Sequence, residues 1–329
     1  MRRDATGSGD RRPARGLSAE RTTLEVRIMI RPVAAGIDGS PESLAAAHWA
    51  AREAVRRGTA LLLVHAWHWH PRPAPSVPAD VSQRAWAEDL LTGVSDGLRA
   101  AHPGLRVLDR SVEDAPVTAL LAVADEAALL VLGSRGLSGV TGYLLGSISQ
   151  RVVSRSPVPV VLVRAGVGTC DEHFAAPDGI SPDEIPQVPY RDVVLGLDTD
   201  RPCDELIEFA FDAARLRGAA LRVLHAFSAP PSFAADRLVP VSGPELLAEH
   251  ENAVVATLRP WCEKFSEVPV AETVVDGRAA GELVRASAGA ALIVVGRRQR
   301  ETRFGAYLGP VAHAVLHHAD CSVAVVPHA

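Results

Sequence analysis

The chain has 329 residues, a net charge of −5 and 47% hydrophobic residues, few of them aromatic. That length favours two domains over one, and the acidic balance argues against a general nucleic-acid binder because no overall positive field gathers phosphates. Cys170, Cys203, Cys262 and Cys321 stand far apart without a CxxC pair, which argues against a disulfide framework or zinc site and for a reduced, cytoplasmic setting.

Residues 1–31 carry eight arginines and four acids, with no apolar periodicity before Leu24. This composition reads as a disordered basic tail. A basic arm that touches nucleic acid or membrane, or translation that begins at Met29, are the alternatives. No apolar h-region follows the arginines, so no signal peptide is expected. The longest apolar runs, such as Ala60 to Val64 and Val158 to Val163, have strand length and fall far short of a membrane span.

The first structural unit opens with an apolar strand, Val33 to Ile37, followed by Asp38-Gly39-Ser40-Pro41. Asp and Ser ahead of a Pro and an Ala-rich stretch predict a helix over about 42–57, closed by Gly58. Then follow a strand at Leu61 to Ala66, a helix at 83–101, a strand at Val107 to Val112 and a helix from Val117 to Glu126. A fully apolar strand, Leu129 to Leu132, precedes a glycine-containing loop, a helix at 147–155 and a last strand, Val158 to Val163. Strands that are apolar throughout and alternate with helices predict a parallel sheet covered on both faces.

The plan is written twice. Arg57-Gly58-Thr59-Ala60-Leu61 and His65-Ala66-Trp67 correspond to Arg217-Gly218-Ala219-Ala220-Leu221 and His225-Ala226-Phe227 at an offset of 160. Ala127 to Gly133 corresponds to Ala290 to Gly296 at 163, as do Leu145-Gly146 to Leu308-Gly309 and Val160 to Val163 to Val323 to Val326. A register kept over so many elements is the mark of duplication. The expected organisation is a tail over 1–31, one domain over 32–164, a Pro- and Gly-containing linker over 165–190, and a second domain over 191–329.

Gly133-Ser134-Arg135-Gly136, nine residues and then Gly146-Ser147 form the most informative stretch. It begins where an apolar strand ends, the usual place of a site in a parallel α/β sheet. Glycines let backbone approach a ligand closely, and Ser147 at an expected N-cap adds a hydroxyl to free backbone N–H groups that face an anion. The loop is neither a Walker A motif nor a GxGxxG fingerprint.

The spacing G-x2-G-x9-G-S, with Asp38 after the first strand and His65-Ala66 in the second, resembles the universal stress protein family over roughly 31–164 and 190–328. The resemblance implies two tandem Rossmann-like (adenine-nucleotide α-hydrolase-like) domains, each a five-stranded parallel sheet with helices on both faces. It implies that Asp38 lies by the adenosine and that the backbone of Ala66 pairs with the adenine edge. Leu132 and Gly133 would lie beside base and ribose, and Gly136, Gly146, Ser147 and Ile148 around a triphosphate. ATP, with Mg²⁺ alongside, is the implied ligand; AMP or a cyclic nucleotide is the alternative. Family members typically dimerise, often through the last strand, so the two halves are expected to pack as an internal pseudo-dimer through Val158 to Val163 and Val323 to Val326. A homodimer of the whole chain is a further option.

The second copy departs from this pattern. Asp198, Gly296 and Gly309 are kept, but Gln299 stands where Gly136 stands and Pro310 replaces Ser147. Proline suits the first helical position yet removes a backbone donor and the hydroxyl. Arg297, Arg298, Arg300 and Arg303 make the loop basic, which reads as an anion site or a solvated face. The second site is therefore expected to be degenerate.

Other candidates are bland. Trp67-His68-Trp69-His70 reads as a loop with aromatics or as an aromatic wall or metal contact. His313 and His317 share a helix face, but Ala314 stands where the HExxH base belongs. Asp38 serves either as ligand contact or as helix cap. Glu113 and Asp114 read as a loop that favours the next helix's dipole, and no GxSxG elbow is present. The expected function is a non-catalytic, ATP-binding regulator of a stress response. The alternatives are a structural scaffold that binds no nucleotide, or an enzyme of the same fold that cleaves ATP at the α-phosphate. Neither nucleic acid nor a membrane is expected as a partner.

Overall fold

The computed structural model describes residues 31–67, 83–134, 146–164, 166, 172–174, 188–228, 231–234, 237–240, 243–299 and 308–329. The basic tail, His68 to His70, Gly136, Arg300 and Arg303 lie outside the described residues.

The first half runs β1 (Val33–Gly36), α1 (Pro41–Arg57), β2 (Leu61–Trp67), α2 (Gln83–Ala101), β3 (Val107–Glu113), α3 (Pro116–Ala124), β4 (Leu129–Ser134), α4 (Ser147–Arg155) and β5 (Val160–Arg164). The second runs β6 (Asp192–Gly196), α5 (Asp204–Arg217), β7 (Leu221–Phe227), a hairpin of β8 (Pro231–Ala234) and β9 (Arg237–Pro240), and α6 (Pro244–Lys264). It ends with β10 (Val270–Asp276), α7 (Ala279–Ser287), β11 (Ala290–Arg298), α8 (Pro310–His318) and β12 (Ser322–His328). The hairpin has no counterpart among the described residues of the first half, and periodicity did not announce it. Glu113 ends β3 instead of standing in a loop.

All strands except the hairpin join one ten-stranded sheet in the order β10-β7-β6-β11-β12-β5-β4-β1-β2-β3. Each half contributes five parallel strands. The halves meet where β12 pairs antiparallel with β5, Val323 opposite Leu162 and Val325 opposite Val160. The expected pseudo-dimer thus exists within one chain, and the two five-stranded sheets become one.

Strand residues alternate between two apolar layers, because successive side chains point to opposite faces. Ala35, Leu63 and Val131 pack with α1 and α2, and Leu195 and Val223 with α5 and α6. Ala34, Leu62 and Leu130 pack with α3 and α4, and Val194 and Ile293 with α7 and α8. Small alanines on α1 (Ala46, Ala47, Ala50, Ala51 and Ala54) are fully buried and let the helix lie close to the sheet.

An ion-pair cluster spans the seam. Glu53 on α1 is 1% exposed and accepts from Arg56 at 2.9 Å, Arg57 at 2.7 Å and Arg217 of α5 at 2.9 Å. Burial by itself would raise the Glu53 carboxyl, but the guanidiniums of Arg217, Arg57 and Arg56 outweigh it and hold the pKa at about 2. Arg217 also lies over the buried Trp49 ring, 5.6 Å from its centroid. Glu172, from the stretch between the halves, accepts from Arg52 and Arg56 at 3.1 Å each. The connection is therefore stitched to α1.

Candidate functional site

Each half carries a cleft at the carboxyl ends of its two central strands, where helix N-termini converge. In the first half β1 ends at Gly36, and the chain turns through Asp38, Gly39 and Ser40 into α1. Ser40 is the N-cap: its hydroxyl accepts from the Ser43 N–H at 3.2 Å, and Pro41 takes the first helical position. Asp38 does not cap the helix directly. Its Oδ1 accepts from the Ser40 N–H at 3.0 Å and from the Ser40 hydroxyl, so it orients the cap.

β4 ends against this turn. A Cβ on Gly133 would lie 2.6 Å from the carbonyl carbon of Glu42, which leaves no room for a side chain. α4 then enters from Gly146. Here the structure corrects the expected cap: Gly146 is the N-cap, with φ −59° and ψ 142°, and Ser147 is the first helical residue without a capping side-chain bond. Glycine without a hydroxyl fits there because the Gly146 carbonyl accepts from the Gln150 N–H at 2.9 Å, while Ser149 donates to the Gly133 carbonyl at 3.0 Å. Ser149, which sequence reasoning missed, ties the helix start to the strand end.

The resulting cleft has a volume of about 260 Å³. Asp38, Ala66, Leu132 and Gly133 line it from the strand side, and Gly146, Ser147 and Ile148 from the α4 side. These seven residues, scattered from 38 to 148, come together; Gly136 lies outside the described residues. Val64 and Leu120 add apolar wall, and Glu42 adds a second carboxylate to that of Asp38. Behind the wall, His65 is buried with Nδ1 2.6 Å from the Ile37 carbonyl and its ring edge-on to Trp86 at 5.4 Å. Trp67 ends β2 and donates from Nε1 to the Ser111 hydroxyl at 2.9 Å.

The second cleft is larger, about 540 Å³, and is lined by Asp198, Gly296 and Gly309 at the corresponding places. α1 and α5 end at equivalent left-handed glycines, Gly58 and Gly218, but α1 has 17 residues and α5 only 14. Pro202 keeps Arg201, the counterpart of Pro41, out of the helix, since the residue before a proline is disfavoured in helical conformation, and Cys203 as N-cap sets the start at Asp204. The missing turn removes the backbone that crowds Gly133: a Cβ on Gly296 would meet the His328 ring at 2.8 Å and the Leu206 side chain at 3.2 Å instead. Cys203 replaces serine as N-cap, its sulfur accepting from the Leu206 N–H at 3.4 Å.

The loop arginines divide. Arg297 is buried and belongs to the seam, donating to the Ser154 and Ser156 carbonyls of the first half. It is therefore neither an anion ligand nor a solvated residue. Arg298 lines the second cleft. His225 repeats His65, with Nδ1 3.0 Å from the Leu197 carbonyl, and its Nε2 meets His250 at 3.0 Å. His313 and His317 lie 4.4 Å apart on α8. Among the described residues no group of three or more His, Cys, Asp or Glu is arranged to hold a metal ion, and no helix is long and apolar enough to cross a membrane. Burial pushes the Cys203 thiol up to about 11 and the Cys321 thiol to about 12, so neither supplies a thiolate at neutral pH.

The family model for universal stress proteins matches residues 29–164 and 189–327. "Universal stress protein Rv2005c" of Mycobacterium tuberculosis is 33% identical over 303 residues, covering 89% of this chain and 96% of that protein. A universal stress protein structure from Archaeoglobus fulgidus, 16% identical, covers 91% of this chain and 98% of its own at a TM-score of 0.64, and so shares the fold. With both halves matched and a relative similar along nearly its whole length, the chain belongs to the universal stress protein family.

Proposed function

We propose that the first cleft binds an adenine nucleotide, ATP by preference, and that the bound state regulates the protein's contacts in a stress response instead of driving turnover. The observation that carries this reading is the meeting of bare backbone at Gly36, Gly133 and Gly146 with the α4 N-terminus in one cleft. The leading N–H groups of a helix have no partner within it and sit at the positive end of the macrodipole, so they favour phosphate. The Ala66 backbone at the strand edge suits an adenine edge, and Asp38 suits a ribose hydroxyl. Mg²⁺ would arrive with the nucleotide, held mainly by phosphate oxygens and water, with Asp38 and Glu42 as the nearby carboxylates.

The test is titration calorimetry of the full chain with ATP, AMP and cAMP. One nucleotide per chain is expected, and Ser147→Glu should weaken it about tenfold or more. Glutamate in a first helical turn is favourable to the helix, so that variant loses binding without losing the fold. If no nucleotide saturates, or if Ser147→Glu binds as tightly as the parent, the scaffold reading takes its place. Sustained ATP cleavage would favour an enzyme.

A further inference from the structure

The second cleft retains a cavity but has changed its chemistry. Where α1 brings its first turn, with Glu42, to the first cleft, α5 starts one turn later and Arg201 is among the residues that line the second. In sequence register Arg201 corresponds to Pro41, so this cation has no forerunner in the first half. Arg298 joins it from the end of β11. Neither guanidinium makes an ion pair or side-chain hydrogen bond among the described residues, whereas Arg56, Arg57 and Arg217 are all paired.

The lining is largely aliphatic, with Leu197, Leu206, Leu224, Leu283, Val295 and Val311, and Asp198, Cys203, His225 and His328 complete it. Its volume falls in the usual range for small-molecule sites, roughly 300–1,000 Å³. At the α8 entrance Pro310 takes the first helical position and carries no N–H, so the helix start offers a polyphosphate one donor fewer than α4 does. Two guanidiniums without a partner among the described residues supply positive charge for one carboxylate, and the leucine-rich wall matches a hydrocarbon body.

We propose that the second cleft is a binding site for a small monoanion with an apolar body, a medium-chain aliphatic carboxylate, and not a second nucleotide site. Arg201 and Arg298 hold the carboxylate, and Leu206, Leu283 and their neighbours cover the chain. The proposal is independent of nucleotide binding in the first half.

Calorimetry of the full chain with octanoate, uncharged octanol and ATP tests it. Octanoate should saturate at one molecule per chain, and octanol should bind about tenfold more weakly or worse. The double variant Arg201→Gln/Arg298→Gln should weaken octanoate to the level of octanol, while Ser147→Glu should leave octanoate unchanged. Four results overturn the proposal: octanoate that does not saturate, octanol that binds equally well, a double variant that binds octanoate like the parent, or two ATP per chain of which Ser147→Glu removes only one. Octanoate binding without any ATP binding would uphold this site and refute the nucleotide reading.

Discussion

The two clefts descend from one repeated plan and differ through a few local changes. In the first, serine caps a helix that begins early enough to press its backbone onto Gly133. In the second, the helix starts three residues later in register, cysteine becomes the cap, and the cavity is roughly twice as large, about 540 against about 260 Å³. A loop motif that loses its serine and glycine therefore need not mark a collapsed site. Walls are set by where helices start, and the arginine and leucine residues that line the second cleft define a different kind of cavity.

The sharpest test of what the halves share lies at the seam. Glu53→Ala leaves three guanidiniums around a buried vacancy and should lower stability by about 3–5 kcal/mol in urea denaturation. Replacing the pair together, as Glu53→Leu with Arg217→Met, should recover most of that loss. The same cluster sets an acid limit. The Glu53 pKa falls from 4.5 to about 2 on folding, so its contribution is complete above pH 4.5 and is lost as pH drops from there towards 2. Urea midpoints of the parent should fall more steeply across that window than those of Glu53→Gln; equal slopes would remove Glu53 from the account.

The next test compares the glycines. Gly133→Ala drives a methyl into the Glu42 backbone and should cost about 1–3 kcal/mol, whereas Gly296→Ala meets the end of the His328 ring, which can swing away, and should cost less. Equal costs would mean that the missing turn does not explain the wider cleft. The smallest effects concern the caps. Ser40→Ala should destabilise by about 1 kcal/mol, and Cys203→Ser should stabilise slightly, because a hydroxyl accepts from backbone N–H better than a thiol does. Thermal melts would resolve both, and a stabilising Ser40→Ala would contradict the cap assignment.

The elements were legible because each rests on short-range physics. The apolar runs at Leu61 and Leu129, the Ser40-Pro41 start and the Gly58 and Gly218 ends announce strands, helix onset and left-handed termination from nearby residues alone. Much of the first cleft was legible too, since Asp38, Gly133 and Ser147 follow strand ends that a parallel sheet gathers on one edge. The cap at Gly146 was misread because Ser147 is the better capping residue, and only the path of the chain shows the cap one residue earlier, with Ser147 already helical.

Sequence by itself determined that there are two α/β units, where most of their strands and helices lie apart from the β8–β9 hairpin, and that their loops have diverged, because duplication and periodicity are properties of the string. The meeting of the halves at β5 and β12 was expected from the resemblance; tertiary structure decided that Glu53 is caged by arginines from both halves, and that Arg297 serves the seam while Arg298 lines a cavity. It also decided that the diverged second cleft is the larger one. Those outcomes depend on distances between residues more than a hundred positions apart, and on the volume left when a helix loses a turn, neither of which any local pattern records.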